Sequence, residues 1–324
     1  TFAAAPAIAV PPLGSEEPLS PEQLAGSRLG TLINRNPLTK GMVGRRAWDF
    51  LQSIRETRSV VAERHRLMHP DPEELKTRLS RLDPGLWERG RDHPLFARFS
   101  VAYATIPWEP RFDNPELIPE ILHEPIVDMS LLPWVPVTAN LLYGPLAIVG
   151  RRAARLAACR HAVLSLAALS VPGDVKFSIR ADRTKSSSWN WCRALPPVMA
   201  TGSNGETSRE VGYEVLIIDG DESLEAVTAG LSERASPAAT IDDDPDTLDV
   251  ADTHPADGGL IILAESIEDV DVPCGTVLQI HPNGTGAITN HLNETIQVTP
   301  IGATEAFAHD MATRVADILT DSFL

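Results

Sequence analysis

The chain has 324 residues, 43% of them apolar, and carries 44 Asp and Glu against 28 Lys and Arg, a formal net charge of -16. It can bury a core, but its acidity excludes partners gripped by clustered Lys and Arg, nucleic acid first of all, and disfavours general adhesion to anionic lipid. No run reaches the roughly 20 apolar residues of a membrane helix. The opening Thr1-Phe2-Ala3-Ala4-Ala5-Pro6 has neither a basic signal-peptide start nor an initiator Met, so the chain reads as a processed or excised piece.

Residues 1–40 are rich in Ala, Pro and Gly and read as a linker or arm. From Gly41 to His69 there is no proline, and Trp48, Leu51, Ile54 and Val61 recur at near-helical spacing among Arg and Glu, which predicts a long helix. Pro70 and Pro72 end it, and Asp71 is placed to cap a second helix over Pro72–Leu82. Phe99–Ile106 has strand composition. Ile126–Tyr143 is apolar but interrupted by Pro133 and Pro136, which predicts two short strands, and Pro145–Val149 is another. Arg152–Leu169 then reads as a helix with Leu156, Cys159, Val163 and Leu166 on one face. Beyond it come a strand at Asp174–Arg180, a Trp-bearing helix start at Ser188–Val198, a strand at Tyr213–Ile218, a helix over Glu222–Glu233 and a buried strand at Leu260–Ala264. Thr276–Ile280, Gly286–Thr289 and Thr295–Val298 form a meander, expected as an antiparallel edge, and Ala303–Leu319 closes with an amphipathic helix. Strands alternating with helices predict an α/β fold: a three-layer, RecA-like or Rossmann-like domain with a mostly parallel sheet, preceded by a stalk helix. The domain limits that follow are an arm over 1–40, a helical stalk over 41–90 and an ATPase-like domain over 91–324.

The strand before Gly150 and the helix after it stand where a nucleotide hydrolase carries its phosphate loop, G-x-x-x-x-G-K-[ST]. That loop wraps phosphate in backbone N–H groups, reaches it with Lys and holds the metal with a hydroxyl. The text here, from Gly144 through Gly150 to Arg151, Arg152 and Ala153, has none of these groups, and Gly-Lys-Ser/Thr occurs nowhere in the chain. Val215-Leu216-Ile217-Ile218-Asp219 has the form of the strand whose terminal Asp holds magnesium in such enzymes, although any buried parallel strand ending in a turn Asp reads the same way. Gly220 stands where a catalytic Glu would follow. Arg151, Arg152 and Arg155 oppose the dipole of their own helix and would be better tolerated beside an acidic partner or a phosphate. Gly144, Gly150, Arg151, Arg152 and Asp219 are therefore the candidate residues of a degenerate nucleotide site, with no catalytic residue among them.

Other chemistries fail on spacing. Asp242, Asp244 and Asp246 begin like a calcium loop, but Thr247 replaces its Gly and Thr253 its bidentate Glu. His65 and His69 lack the third ligand of a zinc protease. Cys159, Cys192 and Cys274 contain no Cys-x-x-Cys and read as buried thiols. No metal site is expected.

Trp189 and Trp191, framed by Ser188 and Asn190, bury large area and require acceptors for their N–H groups. Taken in order, His69-Pro70-Asp71-Pro72, Leu86-Trp87-Glu88-Arg89, Asp92-His93-Pro94-Leu95-Phe96, Pro172-Gly173-Asp174-Val175, Ser188-Trp189-Asn190-Trp191 and Leu195-Pro196-Pro197 resemble the amino-terminal cytosolic region of the EccC-type ATPase of type VII (ESX) secretion, in the FtsK/SpoIIIE family. The resemblance spans roughly residues 41–320 and departs in lacking the family's membrane helices upstream and motor domains downstream. It implies a membrane-proximal domain at the cytoplasmic face of the cell membrane, non-hydrolysing, which couples the ATPase domains to the channel. The implied partners are channel subunits, the motor's own downstream ATPase domains and, in the full complex, a hexamer. Trp48, Leu51 and Ile54 are the candidate partner contacts on the stalk, their packing on this protein's own domain being the equal alternative. No cofactor is expected; ATP with magnesium is the weaker reading. The competing classes are a nucleotide- or ligand-binding module without a phosphate loop, for which no Gly-x-Gly-x-x-Gly is present, and a free-standing secretion adaptor.

Overall fold

The computed structural model describes residues 44–195, 200–201, 213–220, 258–290 and 292–322. The helix expected over Glu222–Glu233 and the acidic run at 241–249 lie outside them. The chain divides into two compact units, residues 1–68 with 104–135, and 69–103 with 136–324. The second helix falls in the unit that holds most of the sheet, and residues 104–135 fall in the unit that holds the long helix.

In the first unit, α1 (Gly44–Met68) presents Ala47, Phe50, Leu51 and Ile54 at i, i+3, i+4 and i+7, one helical face. That face packs on Leu122 and, from the short α3 (His123–Met129), on Ile126 and Met129. Trp48, Trp108, Phe112 and Ile118 close its rim. Leu51 and Ile54 are 3% and 0% exposed, so these two candidate partner contacts face the unit's own core. Trp48 is half-buried, with the Arg55 guanidinium 5.3 Å from its ring centroid.

In the second unit, α2 (Pro72–Arg81) starts as the sequence predicts: Asp71 Oδ1 accepts from the Glu74 N–H at 2.9 Å, and Tyr103 donates to the other oxygen at 2.8 Å. The strands are β1 (Arg98–Pro107), β2 (Leu131–Asn140), β3 (Leu146–Gly150), β4 (Val175–Ala181), β5 (Ala200–Thr201), β6 (Tyr213–Asp219), β7 (Gly258–Ala264), β8 (Thr276–Ile280), β9 (Gly286–Asn290) and β10 (Thr295–Pro300). Their order is β2-β1-β10-β9-β8-β3-β7-β6-β4-β5, and β1 and β2 carry the chain between the units. From β8 to β5 all pairs are parallel. Counting β3, β4, β6, β7 and β8 as one to five, that stretch reads 5-1-4-3-2, the order of a RecA-like core.

Two expectations about strands are corrected. Ile126 is in α3, and Leu131–Asn140 is one strand, not two. It lies at the edge of the order, where one side of the strand has no neighbour and proline is tolerated. The β8–β9–β10 meander is antiparallel as expected, yet it is not the edge: β8 joins the parallel strands through β3, and β1 continues beyond β10.

The first crossover helix, α4 (Arg152–Leu169), is buried nearly all round, against α2, α5 (Glu305–Ser322) and the sheet. Its carboxyl end needs acceptors satisfied, and the segment after α2 supplies the donors. The Trp87 N–H and indole N–H donate to the Ala168 and Ala167 carbonyls, and the Arg89 N–H donates to that of Leu169, at 2.9–3.2 Å. The Leu-Trp-Glu-Arg motif is thus a helix cap made at long range.

His161 on α4 is wholly buried, with Nε2 2.9 Å from the Ser100 hydroxyl, which donates to the Pro70 carbonyl. Burial pushes its pKa down from 6.5 to about 4, against a smaller upward pull from Asp71. The unfolded chain binds this proton first, so the contribution is complete above pH 6.5 and is lost as pH falls toward 4. Denaturant midpoints measured across that range should drop by an amount equivalent to about 3 kcal/mol, and His161→Gln should flatten the profile.

Candidate functional site

The carboxyl ends of β3 and β6, with β7 between them, are where an α/β sheet of this order places a ligand. The passage from β3 to α4 is abrupt: Arg151 alone separates the strand's Gly150 from the helix's Arg152. No arch of backbone N–H groups exists there to wrap a phosphate. Gly150 makes the turn at φ +143, and a Cβ on it would stand 2.6 Å from the Ile280 carbonyl oxygen of β8.

Asp219, at the end of β6, is wholly buried. The Arg152 guanidinium grips it with two parallel bonds, Nη1 to Oδ1 at 2.8 Å and Nη2 to Oδ2 at 3.1 Å. Trp189, on the 3-10 helix Ser186–Ala194, donates its indole N–H to Oδ2 at 2.9 Å, and Ser188 Oγ lies 3.2 Å from Arg152 Nη2. A fork-to-fork arginine–carboxylate pair is among the strongest polar contacts available to a protein. Both Asp219 oxygens are engaged, and the first turn of α4, where a hydrolase would put its metal-holding hydroxyl, holds the cation instead. The side chains gathered here include no lysine, the junction offers no N–H cradle, and the Asp219 carboxylate is already neutralised by Arg152.

A Cβ on Gly220 would lie 2.5 Å from Oδ1 of Asp182, a half-buried carboxylate that would have to swing aside for a larger residue. Arg155, 2% exposed, donates to the Gly150 carbonyl at 3.1 Å and to Glu265 Oε1, just after β7, at 3.3 Å. Two of the three cations at the helix start therefore have acidic partners, while Arg151 is exposed. Gly144 is not part of the site: it precedes β3 at the amino end of the strand and packs against Gly275. Between the two glycines runs the strand that the sequence predicts at Pro145–Val149, so they stand at its opposite ends.

Ser188, Trp189 and Glu265 belong to this cluster and were not legible as members of it. The usable signal was the tryptophan N–H, which demands a buried acceptor. The second tryptophan differs: Trp191 is buried with its N–H lacking an acceptor among the described residues. The thiols offer no nucleophile, since burial raises Cys159 and Cys192 and pushes Cys274 up to about 11. Among the described residues no cluster of His, Cys, Asp and Glu could hold a metal, and no helix is long and apolar enough to cross a membrane.

No protein-family profile and no curated protein sequence matches the chain. Solved structures do. One is EssC (ATPases 2 and 3) from Geobacillus thermodenitrificans, at 12% identity and TM-score 0.44, over 70% of this chain and 49% of that one. Another is Thermomonospora curvata EccC (ATPases 2 and 3) in complex with a signal sequence peptide, at 12% and 0.41, over 68% and 46%. A third is the cytoplasmic domain of the Thermomonospora curvata type VII secretion ATPase EccC, at 10% and 0.41, over 71% and 32%. The matches thus span half or less of those chains.

Proposed function

We propose that this chain is a domain of a type VII secretion motor protein that does not itself bind or hydrolyse ATP. It acts as the membrane-proximal piece that couples the motor's ATPase domains to the secretion channel on the cytoplasmic side. The observation that carries the reading is the bidentate Arg152–Asp219 pair set at a strand–helix junction too short for a phosphate loop. A hydrolase would need Asp219 for magnesium and the junction for phosphate, and here each is used to hold the other in place. The ordered motifs from His69 to Pro197 support placing the domain in that system. The proposed partners are channel subunits, the motor's downstream ATPase domains and, in the assembled motor, further copies in a hexamer. Of the three stalk candidates, Trp48 is the one that keeps surface for such a contact.

Titration with a fluorescent ATP analogue and magnesium should give no saturable binding below the millimolar range, and the chain alone should release no phosphate. Micromolar affinity that Asp219→Ala abolishes would overturn the reading.

A further inference from the structure

The segment that joins β4 to the 3-10 helix Ser186–Ala194 reads Asp182-Arg183-Thr184-Lys185-Ser186-Ser187-Ser188. It is a serine-rich, basic stretch in an acidic chain. Arg183, Thr184, Ser186 and Ser187 are exposed. Among the described residues, Ser186 is the one serine or threonine with an arginine three positions before it, and Lys185 precedes it directly. An accessible hydroxyl with a guanidinium and an ammonium just upstream is what a kinase with an acidic substrate groove selects by charge.

The geometry around Ser186 gives such a modification a consequence. Its hydroxyl donates to the Arg183 carbonyl at 2.9 Å. The Lys185 N–H donates to the Asp182 carbonyl at 2.8 Å, and the Lys185 ammonium pairs with Asp182 Oδ2 at 3.0 Å. One hydroxyl proton and one ion pair thus help to close the turn. Two residues further on, Ser188 meets Arg152, and Trp189 donates to Asp219. Phosphorylation of Ser186 would remove the proton that reaches the Arg183 carbonyl. It would also add about two negative charges beside Lys185 and Arg183.

We infer that Ser186 is the acceptor for an arginine-directed serine kinase, and that its phosphate draws Lys185 from Asp182 and loosens the turn leading to Ser188 and Trp189. In the transfer, a bond forms between Ser186 Oγ and the γ-phosphorus of ATP while the bond from that phosphorus to the β–γ bridging oxygen breaks. ADP leaves, and the hydroxyl proton passes to the kinase's catalytic base.

The test incubates the intact chain with magnesium ATP and a serine kinase selective for arginine three residues before the acceptor, then maps phosphopeptides by mass spectrometry. Ser186 should carry the phosphate, and Arg183→Ala should slow its incorporation about tenfold. In the phosphorylated chain, hydrogen exchange across residues 182–190 should rise about threefold while β7 peptides keep their rates. Arg183 is exposed, so its replacement should leave the thermal midpoint unchanged, and a loss of incorporation then reports recognition rather than unfolding. An unmodified Ser186, incorporation indifferent to Arg183→Ala, or exchange unchanged by the phosphate would overturn the proposal.

Discussion

Arg152→Ala is expected to destabilise the larger unit by about 3–5 kcal/mol, the cost of leaving a buried charge without its partner. Asp219 has no water to turn to, being wholly inaccessible, and the Trp189 N–H alone would remain to it. Arg152 is 31% exposed on its side chain, so Asp219→Ala, which returns a partly solvated cation to water, should cost less. Because both variants break one contact, the double variant should fall far short of their sum, with a coupling of about 2 kcal/mol or more. Arg152→Lys should recover only part of the loss, since an ammonium cannot make the planar two-bond grip. Urea unfolding of the wild type and the four variants measures all of this. Additive losses would mean that the pair does not hold the β3–α4 junction to β6.

Gly150→Ala should cost about 3–5 kcal/mol as well, through backbone strain at φ +143 together with overpacking of a methyl 2.6 Å from the Ile280 carbonyl oxygen. Gly284 supplies the control: its φ is +85, but a Cβ there meets nothing within 4 Å. Gly284→Ala should therefore pay only the conformational part, about 1 kcal/mol. For a unit of this size the difference corresponds to roughly 10 °C in thermal midpoint. Equal midpoints for the two variants would show that the junction's closeness to β8 is not a constraint on sequence.

These two positions divide what was readable beforehand from what was not. The alternation of strands and helices, the Asp71 cap and the missing phosphate-loop residues all depend on neighbours within a few positions, so a linear text carries them. The same text grouped Gly144 with Gly150, although the strand it predicts between them sets the two at opposite ends; the pairing of Leu146–Gly150 between β7 and β8 fixes that separation. It divided Leu131–Asn140 into two strands, because proline penalises a strand only when its N–H side has a neighbour, and edge position is a property of the whole sheet. Leu51 and Ile54 were legible as an apolar face, while what covers that face, Leu122, Ile126 and Met129, comes from more than 60 positions away.

Composition and local pattern, by themselves, determined that this protein is an acidic α/β chain without the residues that grip a triphosphate, since those groups must be contiguous to work. The tertiary structure alone decided what stands in their place. Arg152, Ser188, Trp189 and Asp219 are brought together from three elements by the strand order. Pair energies between residues so far apart in sequence leave no periodic mark, because each depends on burial and angle rather than on spacing.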